Sequence, residues 1–202
     1  MYSLAIGVDE AGRGPLAGPV VAAAVWLPEN FSMHLPLRPR MTDSKKLSAA
    51  ARQTLAAIIY QHAQVALGIS AVRDIEKHNI LGATMIAMQR AVTELKNTLD
   101  KKNILTQSVL VDGNKAPKFD EFNTDHVKCI IGGDAIEPAI SAASIIAKTA
   151  RDDMMMQLHA HYPQYGFDQH MGYGTAAHRG AIQQYGPCPE HRALFLRKIL
   201  VA

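Results

Sequence analysis

Five apolar segments of the chain have the length and composition of buried β-strands. Residues 19–27 are apolar throughout, which is typical of a strand that is covered on both faces. The other four segments are shorter, and all but 65–71 end at polar residues or glycine: 4–8, 65–71, 109–112 and 127–131. Helical patterns separate most of these segments, and this order predicts an α/β protein with helices packed on a sheet.

Helices are predicted from end signals and apolar spacing. Ser48 suits the N-cap of a helix over residues 49–62, and Asn79 suits the N-cap of a second helix. The second helix has one apolar face whose positions are spaced by three or four residues: Leu81, Met85, Met88, Val92 and Leu95. Pro138 fits the first turn of a third helix that reaches about residue 159.

The third predicted helix carries a polar face, and the chain after it is less regular. The polar residues of this face are spaced by three, four and three positions: Ser141, Ser144, Lys148 and Arg151. A loop is predicted over residues 162–175, followed by helical segments over 176–185 and 191–201. We therefore expect one domain, with a core over about residues 1–160 and a loop and helical appendage over about 161–202.

Composition narrows the class of protein. The 202 residues are 48% hydrophobic and 19% charged, which indicates a folded globular protein and excludes a disordered one. The net charge of +3 is too small to argue for a polyanionic partner by itself. No apolar segment approaches the roughly 20 residues of a membrane span, and Asp9 and Glu10 argue against a signal peptide. Cys129 and Cys188 are expected to be free, buried thiols in a cytoplasmic protein.

Acidic residues stand at the ends of three predicted strands. They are Asp9 with Glu10, Asp112, and Asp134. Strand ends of an α/β sheet open into the crevice where ligands bind, so these carboxylates are expected to meet there. Carboxylates that meet stay ionised together only when cations neutralise them. Ligand sets made of oxygen suit Mg²⁺ or Mn²⁺, and paired ions of this kind serve phosphoryl transfer.

The glycine-rich segment over residues 12–18 does not predict a nucleotide-binding loop. Its spacing is Gly-x-Gly-x-x-x-Gly, and an apolar strand follows it where a dinucleotide-binding loop would open a helix. The chain also lacks a phosphate-binding Walker sequence, a His-Glu-x-x-His zinc motif and a Gly-x-Ser-x-Gly elbow. These absences disfavour a nicotinamide-dependent dehydrogenase, a zinc protease and a serine hydrolase.

Five segments resemble the signature motifs of ribonuclease HII, the type 2 ribonuclease H family. They occur in the family's order between residue 7 and about residue 195 and are Gly7-Val8-Asp9-Glu10-Ala11-Gly12-Arg13-Gly14-Pro15-Leu16-Ala17-Gly18-Pro19-Val20, Asp43-Ser44-Lys45-Lys46-Leu47, Val111-Asp112-Gly113-Asn114, Ser141-Ala142-Ala143-Ser144-Ile145-Ile146-Ala147-Lys148, and Gly172-Tyr173-Gly174-Thr175 with His178. The resemblance implies an α/β ribonuclease H-like fold. That fold is a mixed five-stranded sheet flanked by helices, with a helical C-terminal segment.

The resemblance also implies an activity. The expected enzyme is a metal-dependent endoribonuclease that hydrolyses the RNA strand of RNA–DNA hybrids. It would also incise duplex DNA on the 5′ side of single embedded ribonucleotides. The expected chemistry uses two divalent ions, Mn²⁺ or Mg²⁺, and gives 5′-phosphate and 3′-hydroxyl ends. By the family pattern the catalytic and metal-binding residues are Asp9, Glu10, Asp112 and Asp134, with Asp9 between the two ions.

Substrate contacts are also implied by the resemblance. Gly12, Arg13 and Gly14 match the family loop that contacts the ribonucleotide 2′-hydroxyl, and Tyr173 matches the tyrosine that stacks on the next sugar. Three lysines match positions suited to backbone phosphates: Lys45, Lys46 and Lys148. The expected partner is nucleic acid. The protein is expected to be a monomer that does not associate with a membrane. Departures from the family pattern occur at Met171, at Leu194 and in Glu137-Pro138-Ala139.

Two other functions share part of this pattern. A different nuclease of the same fold, such as a junction resolvase or a transposase-like enzyme, would need the acids but not the glycine loop or Tyr173. A hybrid-binding protein without catalysis would have lost at least one of the four acids, and none is missing. A test of hybrid binding against hybrid cleavage separates these alternatives.

Overall fold

A mixed five-stranded sheet forms the centre of the protein. The computed structural model describes residues 4–35, 41, 44 and 47–197. The strand order is β3-β2-β1-β4-β5. The strands are β1 (Ala5–Ala11), β2 (Val20–Trp26), β3 (Gln64–Ser70), β4 (Ser108–Asp112) and β5 (Val127–Ile130). All five predicted strands are therefore present, and β1 continues past its predicted end at residue 8.

The direction of the strands changes at β1. This strand pairs with β2 in antiparallel fashion, and β2 pairs with β3 in the same way. On its other side β1 runs parallel to β4, and β4 runs parallel to β5. The carboxyl ends of β1, β4 and β5 consequently lie along the same side of the sheet, where these strands end.

Six helices surround the sheet in the described part of the chain. They are α1 (Ala49–His62), α2 (Val72–Lys101), α3 (Pro138–His161), α4 (Phe167–His170), α5 (Ala176–Tyr185) and α6 (Ala193–Leu196). The hydroxyl of Ser48 accepts a hydrogen bond from the amide of Ala51 at 3.2 Å, which confirms the predicted cap. The predictions for 49–62 and 176–185 are confirmed to the residue.

Two predictions near the C-terminus need correction. Residues 162–175 are not a plain loop, because a 3₁₀ turn at Pro163–Tyr165 and the short helix α4 lie within them. The helix predicted over 191–201 is only the four residues of α6 within the described chain. Residues 198–202 lie outside the described residues.

Helix α2 is two helices joined at a kink. Asn79 has φ 57° and ψ 174°, which breaks the helical backbone. Its side-chain oxygen accepts hydrogen bonds from the amides of Leu81 and Gly82 at 2.9 and 3.2 Å. Asn79 therefore caps the second part of α2 as predicted, while the first part, which begins at Val72, was not predicted.

Apolar clusters cover both faces of the sheet. One cluster packs α2 against the sheet and includes Val8, Val20 and Met88. The other packs α1 and α3 on the opposite face and includes Leu55 and Ile145. Every residue of β2 is buried, as its continuous apolar sequence predicted.

A third apolar cluster joins the C-terminal segment to the glycine-rich loop. It brings Leu16 and Ala17 together with Met155 of α3 and with buried residues of the last 42 positions: Tyr165, Phe167, Ile182 and Leu196. The division at about residue 160 stays a prediction, and this shared cluster favours a single unit over two.

The cysteine prediction was wrong about burial. Cys129 is exposed and Cys188 is only partly buried, and both are free thiols. The reason for Cys129 is its place on β5, which is an edge strand of the sheet with no further strand beyond it among the described residues. Among the described residues, none of the helices is long and apolar enough to span a membrane.

Candidate active site

The parallel part of the sheet brings two of the four predicted acids together. Val8 pairs with Val111 in the register of β1 and β4, so the next residues, Asp9 and Asp112, lie side by side. Asp112 in turn pairs with Ile130 of β5. The sheet edge therefore brings together the acids that the sequence placed at separate strand ends.

Asp9 lies at the centre of this group and is only 6% exposed. Burial raises the pKa of Asp9 well above its ordinary value, and the nearby carboxylates of Glu10 and Asp112 raise it further. The backbone amide of Glu10 donates a hydrogen bond to Asp9 at 2.7 Å, and this bond and the nearby Ser144 hydroxyl lower the pKa of Asp9 in part. The site thus carries negative charge that a bound cation would relieve.

Asp112 presents an oxygen suited to such a cation. Its Oδ1 atom is buried and has no hydrogen-bond partner in the described chain, which is costly for a carboxylate unless something binds it. The neighbouring donors are carboxylate oxygens, the ligands that Mg²⁺ and Mn²⁺ prefer. Among the described residues, no three acid, histidine or cysteine side chains already form a complete cluster.

Asp134 lies in a tight turn beside the first turns of α3. Gly132 adopts the left-handed conformation, with φ 67°, and Asp134 follows in the 3₁₀ turn Gly133–Ala135. The Ser141 hydroxyl of α3 donates a hydrogen bond to the Asp134 carbonyl at 2.5 Å. Ser141 and Ser144 lie one turn apart on α3, so this helix contacts both Asp134 and Asp9.

The glycine-rich loop leaves β1 directly after the first two acids. Gly12 has φ +96°, and a β-carbon there would lie 2.1 Å from Nε of Arg151, so only glycine fits. Gly12 is buried, while Arg13 and Gly14 are exposed. The guanidinium of Arg13 forms a 3.1 Å ion pair with Glu10, which ties the loop to a catalytic candidate.

Tyr173 lies against this loop from the other side. A β-carbon at Gly14 would lie 3.6 Å from Cε1 of the Tyr173 ring, which is ordinary contact distance. The tyrosine is 46% exposed, so one part of its ring is open to a ligand. Gly14, Tyr173 and Lys148 line one cleft of about 500 Å³ that also reaches Glu10.

Of the three lysines predicted to bind phosphate, only Lys148 lies among the described residues. Lys148 lines the cleft, but its ammonium group already forms a 2.6 Å ion pair with Asp152, which also pairs with Arg52 at 3.4 Å. Lys45 and Lys46 lie outside the described residues. Of the departures from the family pattern, Met171 has φ 49° and its carbonyl accepts from Arg151, while the Leu194 amide donates to Glu76 at 3.4 Å.

Several residues that shape the site were not predicted from the sequence. Ser144 was placed on a polar face, but its position near Asp9 and its hydrogen bond to Ser44 at 2.9 Å were not predicted. Leu81, and Met85 at the margin of the core, line a pocket shared with Glu10 and Asp112. The available signal was the polar face of α3, since three of its four residues are buried although polar.

Comparisons with known proteins agree with this arrangement. A family model described as Ribonuclease HII matches residues 6–198. Ribonuclease HII of Bordetella avium is 52% identical over 192 residues, which cover 94% of this chain and 86% of that protein. Ribonuclease HII of Dechloromonas aromatica is 49% identical over 197 residues, which cover 95% of this chain and 90% of the relative.

Solved structures share the fold. Ribonuclease H2 of Pyrococcus horikoshii aligns with a TM-score of 0.67 at 25% identity and covers 96% of both chains. Bst-RNase HIII, solved in complex with Mn²⁺, aligns with a TM-score of 0.76 at 20% identity over 99% of this chain and 70% of the other. The expected mixed five-stranded sheet with flanking helices is confirmed.

Proposed function

The chain belongs to the ribonuclease HII family and is a nuclease of RNA–DNA hybrids, and we propose that it also incises duplex DNA 5′ to a single embedded ribonucleotide. The position of the Tyr173 ring beside Gly14, where an added β-carbon would lie 3.6 Å from Cε1, is the observation that carries this proposal. It places an aromatic ring and an exposed glycine at one cleft that also contains Glu10. Such a cleft can hold one sugar against a backbone loop next to the acids.

The shape of the cleft supports recognition of the sugar. Gly14 carries no side chain, so a ribose 2′-hydroxyl can approach the backbone of the loop closely. The Tyr173 ring lies across from it and would stack on the following sugar, where a second 2′-hydroxyl would clash. This pair of contacts would select the junction at which RNA gives way to DNA. Base identity plays little part, as is usual when shape and the 2′-hydroxyl are read.

The acids supply the ligands for a divalent ion. Asp9, Glu10, Asp112 and Asp134 would hold two ions, Mg²⁺ or Mn²⁺, and the ions would activate a water nucleophile and stabilise the leaving oxygen. The unpartnered Oδ1 of Asp112 and the raised pKa of Asp9 support this assignment. Ser144 and the Glu10 amide orient the Asp9 carboxylate. Because the 2′-hydroxyl is bound rather than used as a nucleophile, we expect 5′-phosphate and 3′-hydroxyl ends.

Phosphate contacts complete the proposal. Lys148 can bind a backbone phosphate if the phosphate takes the place of Asp152, and Asp152 keeps its partner Arg52. Lys45 and Lys46 are proposed for the same work from their motif. A monomer in the cytoplasm stays a prediction from the sequence.

The test compares Tyr173→Ala and Tyr173→Phe on two labelled substrates. One substrate is a DNA duplex with a single ribonucleotide, and the other is a continuous RNA–DNA hybrid. Loss of the ring should slow cleavage of the first substrate by roughly tenfold or more relative to the second, since aromatic stacking contributes about 1–3 kcal/mol. Phenylalanine keeps the ring and should retain the wild-type ratio. Equal losses on both substrates would reject junction reading, and a 2′,3′-cyclic phosphate product would reject the chemistry.

A further inference from the structure

Arg192 is a buried arginine that holds the glycine-rich loop. It is fully buried, at 0% exposure, and its guanidinium makes six hydrogen bonds of 2.7–3.2 Å. All six go to backbone carbonyls of one loop: Gly12, Arg13, Pro15, Gly18 and Pro19. The backbone of Arg192 is tied to the same loop, since its amide donates to the carbonyl of Leu16 at 2.8 Å.

These bonds set the direction of the peptide groups that face the cleft. The carbonyls of Gly12 and Arg13 point inward to Arg192 at 2.7 and 3.2 Å. Because a trans peptide is planar, the N–H of the following residue points the opposite way. The amides of Arg13 and Gly14 are therefore turned away from Arg192, and no hydrogen bond within the described chain uses them. Arg13 and Gly14 line the cleft beside Tyr173.

Arg151 of α3 also donates hydrogen bonds to the glycine-rich loop. It is 1% exposed and donates to the carbonyls of Pro19, Ala17 and Met171 at 3.0–3.2 Å. Neither Arg151 nor Arg192 has a carboxylate within ion-pair distance among the described residues. A buried guanidinium without a carboxylate is costly, so these carbonyls must satisfy it. Burial and the nearby Arg151 lower the pKa of Arg192 to about 9.

We propose that Arg192 is a positioning residue that holds the Arg13 and Gly14 amides toward the ribose 2′-hydroxyl, and that it thereby sets the preference for a ribonucleotide over a deoxyribonucleotide. This inference rests on the proposed function. A lysine could keep the charge but not the planar fork that bonds several carbonyls at once. Small shifts of a binding loop have large effects, so the preference should respond strongly to loss of the fork.

The experiment measures binding with the metal removed by chelator, so that no cleavage occurs. Dissociation constants are compared for two duplexes of one sequence, with a single ribonucleotide in one and none in the other. For Arg192→Lys the ratio of the two constants should fall at least about tenfold toward one. Arg90→Lys is the matched control, since Arg90 also donates to a backbone carbonyl but is half-exposed on α2. It should keep the wild-type ratio.

The ratio separates positioning from simple loss of folded protein. A smaller folded fraction lowers the apparent amount of binding sites equally for both duplexes and leaves the ratio unchanged. A folded Arg192→Lys protein with the wild-type ratio would overturn the inference. A wild-type ratio near one would instead contradict the proposed 2′-hydroxyl recognition and the inference with it. If Arg192→Lys does not fold, Arg151→Lys, which loosens the same loop at Ala17 and Pro19, must lower the ratio or the inference fails.

Discussion

Gly7 of β1 and Ala139 of α3 are in direct backbone contact. A β-carbon at Gly7 would lie 2.2 Å from the carbonyl carbon of Ala139, a distance that no side chain can occupy. The contact lets the first turns of α3 lie on β1, two residues before Asp9. The position of Ser144 beside Asp9 depends on this approach.

Gly7→Ala should therefore destabilise the protein and disturb the site together. The added methyl group meets backbone atoms that cannot move aside, so we expect the free energy of unfolding to fall by about 1–3 kcal/mol. Urea denaturation measures the change. Gly180→Ala is the control, because Gly180 lies in α5 with nothing within 4 Å of its added carbon. That change should raise stability by up to about 1 kcal/mol. An unchanged Gly7→Ala protein would refute the close contact.

Asp9→Asn should make the metal-free protein more stable at neutral pH. The pKa of Asp9 is raised by burial and by the carboxylates of Glu10 and Asp112, so the ionised form is disfavoured in the folded protein. The wild-type protein loses stability as pH rises from the ordinary pKa of 3.8 through the raised folded value. Asparagine stays neutral, and the stability advantage of the variant should vanish below about pH 4.

Thermal unfolding in chelator across this pH range measures whether Asp9→Asn is more stable than the wild type at neutral pH. A variant that is less stable than the wild type at pH 7 would contradict the electrostatic account of Asp9. Added Mg²⁺ or Mn²⁺ should raise the melting temperature of the wild type more than that of Asp9→Asn, because an ion that binds the folded state stabilises it. Equal responses would argue against Asp9 as a metal ligand.

Lys148→Gln should weaken hybrid binding and its dependence on salt. If Lys148 contacts one phosphate, the slope of log affinity against log salt should decrease in size by about 1. Lys96→Gln is the control, since Lys96 forms an equivalent ion pair with Asp100, four residues further along α2. The Lys96 variant should keep the wild-type slope. The same slope in both variants would leave Lys148 paired with Asp152 and without a role in binding.

His191 should make the protein sensitive to acid. Its Nε2 lies 3.0 Å from Nε2 of His178, and its Nδ1 accepts from the Cys188 amide at 3.0 Å. Burial, and next the neighbouring His178, lower the pKa of His191 to about 4. Below about pH 6.5 the unfolded chain binds a proton at His191, whereas the folded protein keeps His191 neutral down to about pH 4. The free energy of unfolding therefore falls as pH decreases from 6.5 toward 4.

The variant His191→Gln tests whether His191 causes this loss of stability at low pH. Its unfolding by urea is measured between pH 4 and pH 7. The variant should show a smaller loss of stability than the wild type over this range. His126→Gln, at an exposed position, should follow the wild type. A variant as steep as the wild type would show that other groups control the acid response.

The strands and the main helices were predictable because local signals agree with their final environment. Ser48 caps α1, the continuous apolar sequence of β2 is buried on both faces, and Asp112 is the last residue of β4. Each of these features depends on a few neighbouring residues. The pairing order of the strands was not predicted from spacing, because it depends on contacts between distant segments.

The residues that were missed act over long sequence distances. Arg192 bonds to Gly12, 180 positions earlier, and Arg151 bonds to Pro19, 132 positions earlier. An arginine near the C-terminus gives no local sign that it will be buried, since arginine is usually exposed. Cys129 was misjudged for a related reason, because the edge position of β5 is a property of the assembled sheet.

Cleavage of a labelled DNA duplex with one embedded ribonucleotide tests most directly whether this enzyme incises at a single ribonucleotide. The reactions contain Mg²⁺, Mn²⁺ or chelator, and Asp9→Asn serves as the inactive comparison. The account predicts one metal-dependent cut immediately 5′ to the ribonucleotide, with a 3′-hydroxyl on the upstream product, and no cut by Asp9→Asn. An intact duplex under conditions where a continuous RNA–DNA hybrid is cleaved would contradict the proposed roles of Gly14 and Tyr173.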